Sequence, residues 1–146
     1  MVIVSAVIPT RGRPELLRRA VRSALAQTLR EIEVVIVIDG ADFATNLVVE
    51  ELAQQDSRVR GIMLSSKVGG SDARNRGVDA ASGEWIAFLD DDDEWLPGKL
   101  QAQIDAMKPS TAEILIGTCK LIARTPGKDY VWPRRMPASK VLDLSR

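Results

Sequence analysis

The sequence predicts an α/β fold built on a mainly parallel sheet. Three observations point there. Residues 2–8, 33–38, 59–64 and 85–89 form short apolar runs, several of them rich in β-branched residues. Their hydrophobicity is continuous rather than alternating, the mark of strands buried on both faces. Segments with helical spacing separate them, and that alternation is the pattern of parallel βα units. Polar punctuation then falls at the strand ends: Thr10-Arg11, Asp39-Gly40 and the run Asp90-Asp91-Asp92-Asp93. In parallel sheets, ligands sit beyond the carboxyl ends of the strands.

The first strand, residues 2–8, is expected to stop at Pro9. A turn over Thr10-Arg-Gly-Arg13 leads to Pro14, which suits the first helical position because its missing N–H has no partner there. Leu17, Val21, Ala24, Leu25 and Thr28 then recur at helical spacing and predict one buried face. Arg18, Arg19 and Arg22 read as a solvated face. The second strand, residues 33–38, closes at Asp39-Gly40. Thr45 is placed to cap a helix running to about Gln55. After the third strand, residues 59–64, Gly69-Gly70 can take backbone angles closed to other residues. Ser71 or Asp72 can start the next helix, with Gly83 as its C-cap. Residues 85–89 form the fourth strand, and Pro97 opens a helix to about Met107. Residues 113–123 are strand-like. Beyond Ala123, Pro126, Gly127, Pro133 and Pro137 punctuate a basic stretch with no further βα unit. The expected division is a core over residues 1–123 and a tail, or the start of an incomplete second half, over 124–146.

Composition excludes several function classes. A chain of 146 residues with 45% hydrophobic content is the size of one domain with a real core. Twenty basic and 20 acidic residues give a formal net charge of +0, so no global field favours nucleic acid or an anionic membrane. His is absent, which removes the commonest general base and zinc ligand. The single Cys119 forms neither an internal disulfide nor a paired-cysteine metal site, and its apolar context reads as core. No basic n-region precedes the first apolar run, and no run approaches the ~20 residues of a membrane span. The expected location is cytoplasmic, or peripheral at the inner face of a membrane.

The acidic run concentrates the chemistry. Like charges this close need full solvation or a counter-charge. The preceding apolar strand and the following Trp95-Leu96-Pro97 pin the run into a structured loop, which disfavours a merely solvated patch. Mg²⁺ or Mn²⁺ prefers oxygen ligands, and Mg²⁺ is usually held by one or two carboxylates plus phosphate oxygens. The spacing is not that of an EF-hand, and no GxGxxG fingerprint follows the first strand. Asp39 is a turn residue or an acceptor for a nucleobase or ribose. Gly69-Gly70-Ser71 can present N–H groups to an anion at a helix start. Arg74 and Arg76 can pair with phosphate, with Asp72 or Asp79, or with the acidic run.

These segments resemble the family 2 glycosyltransferases. The resemblance rests on Val7-Ile-Pro-Thr10 before a helix ending in Ala26-Gln-Thr28, on Val37-Ile-Asp-Gly40, on Ala73-Arg-Asn-Arg-Gly77 and on the block from Gly83 to Asp93. All occur in the family's order and spacing, over roughly residues 2–122. The resemblance implies a GT-A fold, Rossmann-like, with three α/β/α layers. It implies sugar transfer from a nucleotide donor, usually with inversion, aided by Mg²⁺ or Mn²⁺, with a UDP-sugar favoured. Pro9, Thr10 and Arg11 would flank base and ribose, Asp39 would bond the base, and Asp92 would ligate the metal. The family's DxD pattern falls on Asp90 and Asp92, or in a shifted register gives Asp91 the ribose contact. Gly70, Arg74 and Asn75 would shape the donor pocket.

Two departures stand out. Arg11 occupies a position where many members stack an aromatic residue on the base; its guanidinium plane can stack instead. The family's base is an acidic residue of the later, acceptor-binding half, and neither Asp129 nor Asp143 is marked as that group. The catalytic residue is therefore unassigned. The expected partners are a nucleotide sugar and a glycan, lipid or protein acceptor, without nucleic acid. An incomplete GT-A domain would leave apolar surface open to self-association. The rival readings are a nucleotide-binding module with no transferase activity of its own, and a structural cation site without nucleotide.

Overall fold

A computed structural model describes residues 1–107, 121–125 and 128–132. Strands β1 (Val4–Thr10), β2 (Ile32–Ile38), β3 (Val59–Met63) and β4 (Trp85–Phe88) alternate with helices α1 (Pro14–Leu25), α2 (Phe43–Gln55) and α3 (Gly70–Ala80). The four strands form one parallel sheet in the order β3-β2-β1-β4. Val4 pairs with Ile32 and Thr10 with Ile38 on one side of β1, and Val4 with Trp85 and Val7 with Phe88 on the other.

That order dictates the layers. The chain steps from β1 to β2 to β3 in one direction, then returns to the far side of β1 as β4. Crossovers of a single hand put α1 and α2 on one face and α3 on the other. The packing agrees. Ala6, Ile8, Val34, Ile36 and Ile38 share a core with Leu17, Ala20, Val21 and Ala24 of α1 and with Val48, Val49 and Leu52 of α2. On the opposite face, Gly77 of α3 lies so close to the sheet that a Cβ there would stand 2.3 Å from Val7 Cγ1. The reversal of strand order occurs between β1 and β4, the switch point where open α/β sheets bind ligands.

Several local expectations are corrected. β1 runs through Pro9 to Thr10. The Thr10 carbonyl accepts from Asp39 N–H, and the Val7 carbonyl accepts from Leu89 N–H. Alternation along the strand therefore turns Pro9 toward β4, whose pairing with β1 has ended at Val7, so its missing N–H breaks no ladder bond. β4 is not buried on both faces: Trp85, Ile86 and Ala87 are half-buried and Phe88 is exposed, because β4 ends the order of the described sheet. The buried face of α1 includes Ala20 in place of Thr28, since the helix stops at Leu25 and its period no longer governs Thr28. Asp42, not Thr45, caps α2; its carboxylate accepts from Thr45 N–H at 3.1 Å. Helix α3 begins at Gly70 and ends at Ala80, so Gly83 is not its cap. Gly83 instead passes against β1, where a Cβ would meet Ser5 N at 2.7 Å. The fourth helix, α4 (Lys99–Met107), starts two residues after Pro97.

At the amino ends of the strands lies a buried polar clasp. The Glu33 carboxylate accepts from Ser5 Oγ at 2.6 Å, Ser82 N at 2.6 Å, Ser82 Oγ at 2.8 Å and Arg60 Nε at 3.0 Å. Burial opposes its ionisation. The Ser5, Ser82 and Arg60 donors outweigh that effect and hold its pKa at about 2.

The chain divides after Gln101 into two units. In the second, β5 (Leu121–Thr125) and β6 (Lys128–Trp132) pair antiparallel, with Leu121 opposite Trp132 and Thr125 opposite Lys128. The stretch after Ala123 thus carries a strand pair, with Pro126-Gly127 between the strands in sequence. The start of the strand expected over residues 113–123, Cys119, Pro133, Arg134, Arg135, Pro137 and Asp143 lie outside the described residues.

Candidate nucleotide-sugar site

A cleft of about 430 Å³ opens at the carboxyl ends of β1, β2 and β4. Pro9, Thr10, Arg11, Arg13, Asp39, Gly70, Arg74, Asp90, Asp91 and Asp92 line it. Nine of the ten residues singled out from sequence therefore converge; Asn75 alone is exposed on α3 and does not line the cleft.

Each wall has a local cause. Thr10 is the last residue of β1 and is buried. Its hydroxyl donates to Asp91 Oδ2 at 2.7 Å, which ties the end of β1 to the acidic loop across the switch point. Gly12 takes a positive φ of 64°, which reverses the chain into α1, and its N–H donates to Asp42 Oδ2 at 2.7 Å. Below the loop, Ser23 Oγ accepts from Trp95 N–H at 3.0 Å. The buried Gln27 amide donates to the Leu96 carbonyl at 2.8 Å and accepts from Leu100 N–H at 3.0 Å. The carboxyl end of α1 thereby grips the segment that follows the aspartates.

Asp39 is largely buried, and its carboxylate is already partnered. It accepts from Val68 N–H at 2.7 Å and from Gly69 N–H at 3.1 Å. The loop before α3, expected to offer its N–H groups to an anion, offers these two to Asp39. Gly69 does so with φ at 93°, a conformation open to glycine. A second recess of about 330 Å³ adjoins this point, lined by Arg11, Gly12, Asp39, Gly40, Ala41, Asp42 and Phe43. Arg11 is exposed and borders both spaces.

The aspartates differ in environment. Asp91 is buried, whereas Asp90 and Asp92 are half-exposed. Arg74 of α3 pairs with Asp90 of the acidic run, one of the partners open to that arginine. Arg13 donates from one nitrogen, Nη1, to Asp91 Oδ1 at 3.2 Å and to Asp92 Oδ2 at 2.9 Å. Asp93 does not line the cleft; partial desolvation, and then the charges of Asp92 and Asp90, push its pKa up. Arg13 is the residue that sequence reading missed. Its only signal was a second arginine in the turn that already held Arg11.

No set of three metal-ligating side chains converges among the described residues. The donor set nevertheless suits a hard divalent cation that takes its remaining oxygens from a bound diphosphate. One oxygen each of Asp91 and Asp92 accepts from the same Arg13 nitrogen, so a positive charge is held between the two carboxylates.

Comparison with known proteins matches this arrangement. The model for glycosyl transferase family 2 matches residues 5–141. A GalNAc(5)-diNAcBac-PP-undecaprenol beta-1,3-glucosyltransferase of Campylobacter jejuni is 33% identical over 117 residues, covering 80% of this chain and 38% of its own length. The chain thus spans well under half the length of that relative. Among solved structures, S. aureus TarS in complex with UDP-GlcNAc superposes with a TM-score of 0.64 at 24% identity, covering 73% of this chain and 31% of TarS. The mannosyltransferase PcManGT from Pyrobaculum calidifontis, in complex with GDP-Man and Mn²⁺, gives 0.64 at 20% identity, covering 72% and 32%. Both share the parallel α/β architecture. With the family model spanning the sheet, the switch-point cleft and the acidic run, the chain belongs to glycosyl transferase family 2.

Proposed function

We propose that the cleft binds a nucleoside diphosphate sugar together with Mg²⁺ or Mn²⁺, and that the chain carries the donor half of an inverting glycosyl transfer. The observation that carries this reading is that Asp91 and Asp92 hold one cation, the Arg13 guanidinium, between them in the cleft at the β1/β4 switch, which Arg74 also lines. Asp92 is the metal ligand in this account, being the half-exposed member of the pair. Asp90 and Asp91 serve the DxD pattern and the ribose. Pro9, Thr10 and Arg11 border the base and ribose, and Asp39 meets the base while bracing the loop before α3. Gly70, Arg74 and Asn75 belong to the donor side. UDP is the favoured nucleotide, in keeping with the UDP-GlcNAc held by TarS.

In the reaction, an acceptor hydroxyl oxygen bonds to the anomeric carbon as the bond from that carbon to the diphosphate oxygen breaks. The hydroxyl proton passes to a carboxylate base, and the nucleoside diphosphate leaves with the bonding pair. A bound divalent cation supplies electrostatic stabilisation of that leaving group. Arg74, released from Asp90, supplies further positive charge at the same edge. Asp91 orders the loop through Thr10. No residue of the chain is assigned as the base. The acceptor is proposed to be a membrane-linked glycan, supported by the undecaprenol-linked substrate named for the Campylobacter relative. No described helix is long and apolar enough to cross a membrane, which fits peripheral attachment as well as none.

Calorimetric titration with UDP, with and without Mn²⁺, tests the donor site. Metal-dependent binding that disappears in Asp92→Ala is expected. A separate transfer assay addresses the rival reading, a binding module without turnover: sustained transfer by this chain alone would show that it contains its own base.

A further inference from the structure

We propose that Arg13 is a built-in counter-cation that keeps the metal position closed until a diphosphate arrives. The proposal rests on the reading of the cleft as a metal–diphosphate site and adds an order of binding to it.

Asp91 Oδ2 is taken by the Thr10 hydroxyl at 2.7 Å, so Oδ1 is its other acceptor. Arg13 Nη1 holds that oxygen at 3.2 Å and Asp92 Oδ2 at 2.9 Å. A Mg²⁺ ion needs carboxylate oxygens at ~2.1 Å, too close for a guanidinium to share the same point. An ion that takes these two oxygens therefore requires Arg13 to leave. The side chain can move: it is half-exposed and makes no capping bond to α1. Its release without compensation would remove a counter-charge from four consecutive carboxylates. A bound diphosphate changes the balance, because it brings oxygens for the metal and negative charge for the displaced guanidinium. Metal and nucleotide should then bind with positive coupling, and Arg13 should be the origin of much of it.

The test is Mn²⁺ titration of the protein without nucleotide, read by calorimetry, in wild type, Arg13→Ala and Arg13→Lys. Thermal melts verify that each variant is folded. Arg13→Ala should bind Mn²⁺ alone about fivefold tighter than wild type, the scale expected for removing a solvent-accessible competing charge. Arg13→Lys, which keeps the charge, should stay near wild type. The gain should vanish when Asp92→Ala is added to Arg13→Ala, and the coupling between UDP and Mn²⁺ should fall by a similar factor. If Arg13→Ala binds Mn²⁺ no tighter than wild type while UDP binding remains Mn²⁺-dependent and Asp92-sensitive, the Arg13 proposal is overturned and the donor-site reading stands. If UDP binding needs neither Mn²⁺ nor Asp92, the donor-site reading fails and the Arg13 proposal goes with it.

Discussion

Asp91 carries more structure than its neighbours. It is a buried carboxylate whose partners, Thr10 and Arg13, lie 81 and 78 residues away in sequence. Thr10→Val keeps the shape but removes the donor, leaving Asp91 Oδ2 without its bond. A loss of about 1–3 kcal/mol in denaturant unfolding is expected, along with weaker nucleotide binding. Glu33 makes a second residue-level prediction, this time about pH. Its folded pKa, about 2, lies below the ordinary 4.5. The clasp therefore contributes fully above pH 4.5 and is lost as pH falls toward about 2. Its worth at neutral pH is on the order of 3 kcal/mol, and Glu33→Gln should flatten the acid limb of stability against pH. Asp39, Asp90, Asp91 and Asp92 were legible as candidate site residues because they are acidic groups at the ends of apolar strands, and they line one cleft. Their partners were not. The pairings of Arg13 and of Glu33 depend on which strand ends become neighbours, and local spacing does not carry that information.

At the scale of elements, periodicity located the strands and helices, while contacts between them set the boundaries. Helix α1 illustrates both. Its apolar stripe was readable from Leu17 to Ala24, but Gln27 sits beyond the helix end and is buried for another purpose. It anchors Leu96 and Leu100, and so holds the segment after the acidic run. Gln27→Leu would leave the Leu100 N–H without its Gln27 partner and the Leu96 carbonyl with Lys99 N–H as its remaining donor. A cost of about 2 kcal/mol and faster amide exchange at Leu100 are expected; unchanged exchange there would argue against the anchor. Gly77 is readable as part of the Ala73–Gly77 resemblance, but its reason appears only in the packing of α3 on β1. Gly77→Ala places a Cβ 2.3 Å from Val7 Cγ1, and a loss of about 1–3 kcal/mol in chemical denaturation is expected from overpacking. The cap of α2 shows the converse. Asp42 and Thr45 are both good capping residues, and the choice falls on Asp42 because the same carboxylate also receives Gly12 N–H.

At the scale of the whole molecule, a parallel sheet with three covering helices was legible from the alternation of apolar runs. Strand order was not, since nothing local tells β4 to return beside β1. That return makes the site: it brings Thr10 to Asp91 and Arg13 to Asp92. It also leaves β4 at the end of the described sheet, with Phe88 49% exposed and Leu96, on the following loop, 56% exposed. Such apolar surface favours self-association, so sedimentation should show a concentration-dependent dimer or larger species. A monomer at all concentrations would contradict this. The most direct test of the central claim is calorimetric titration of UDP into wild type and Asp92→Ala, each with and without Mn²⁺. The account predicts Mn²⁺-dependent binding in wild type and its loss in the variant; equal binding in all four conditions would contradict it.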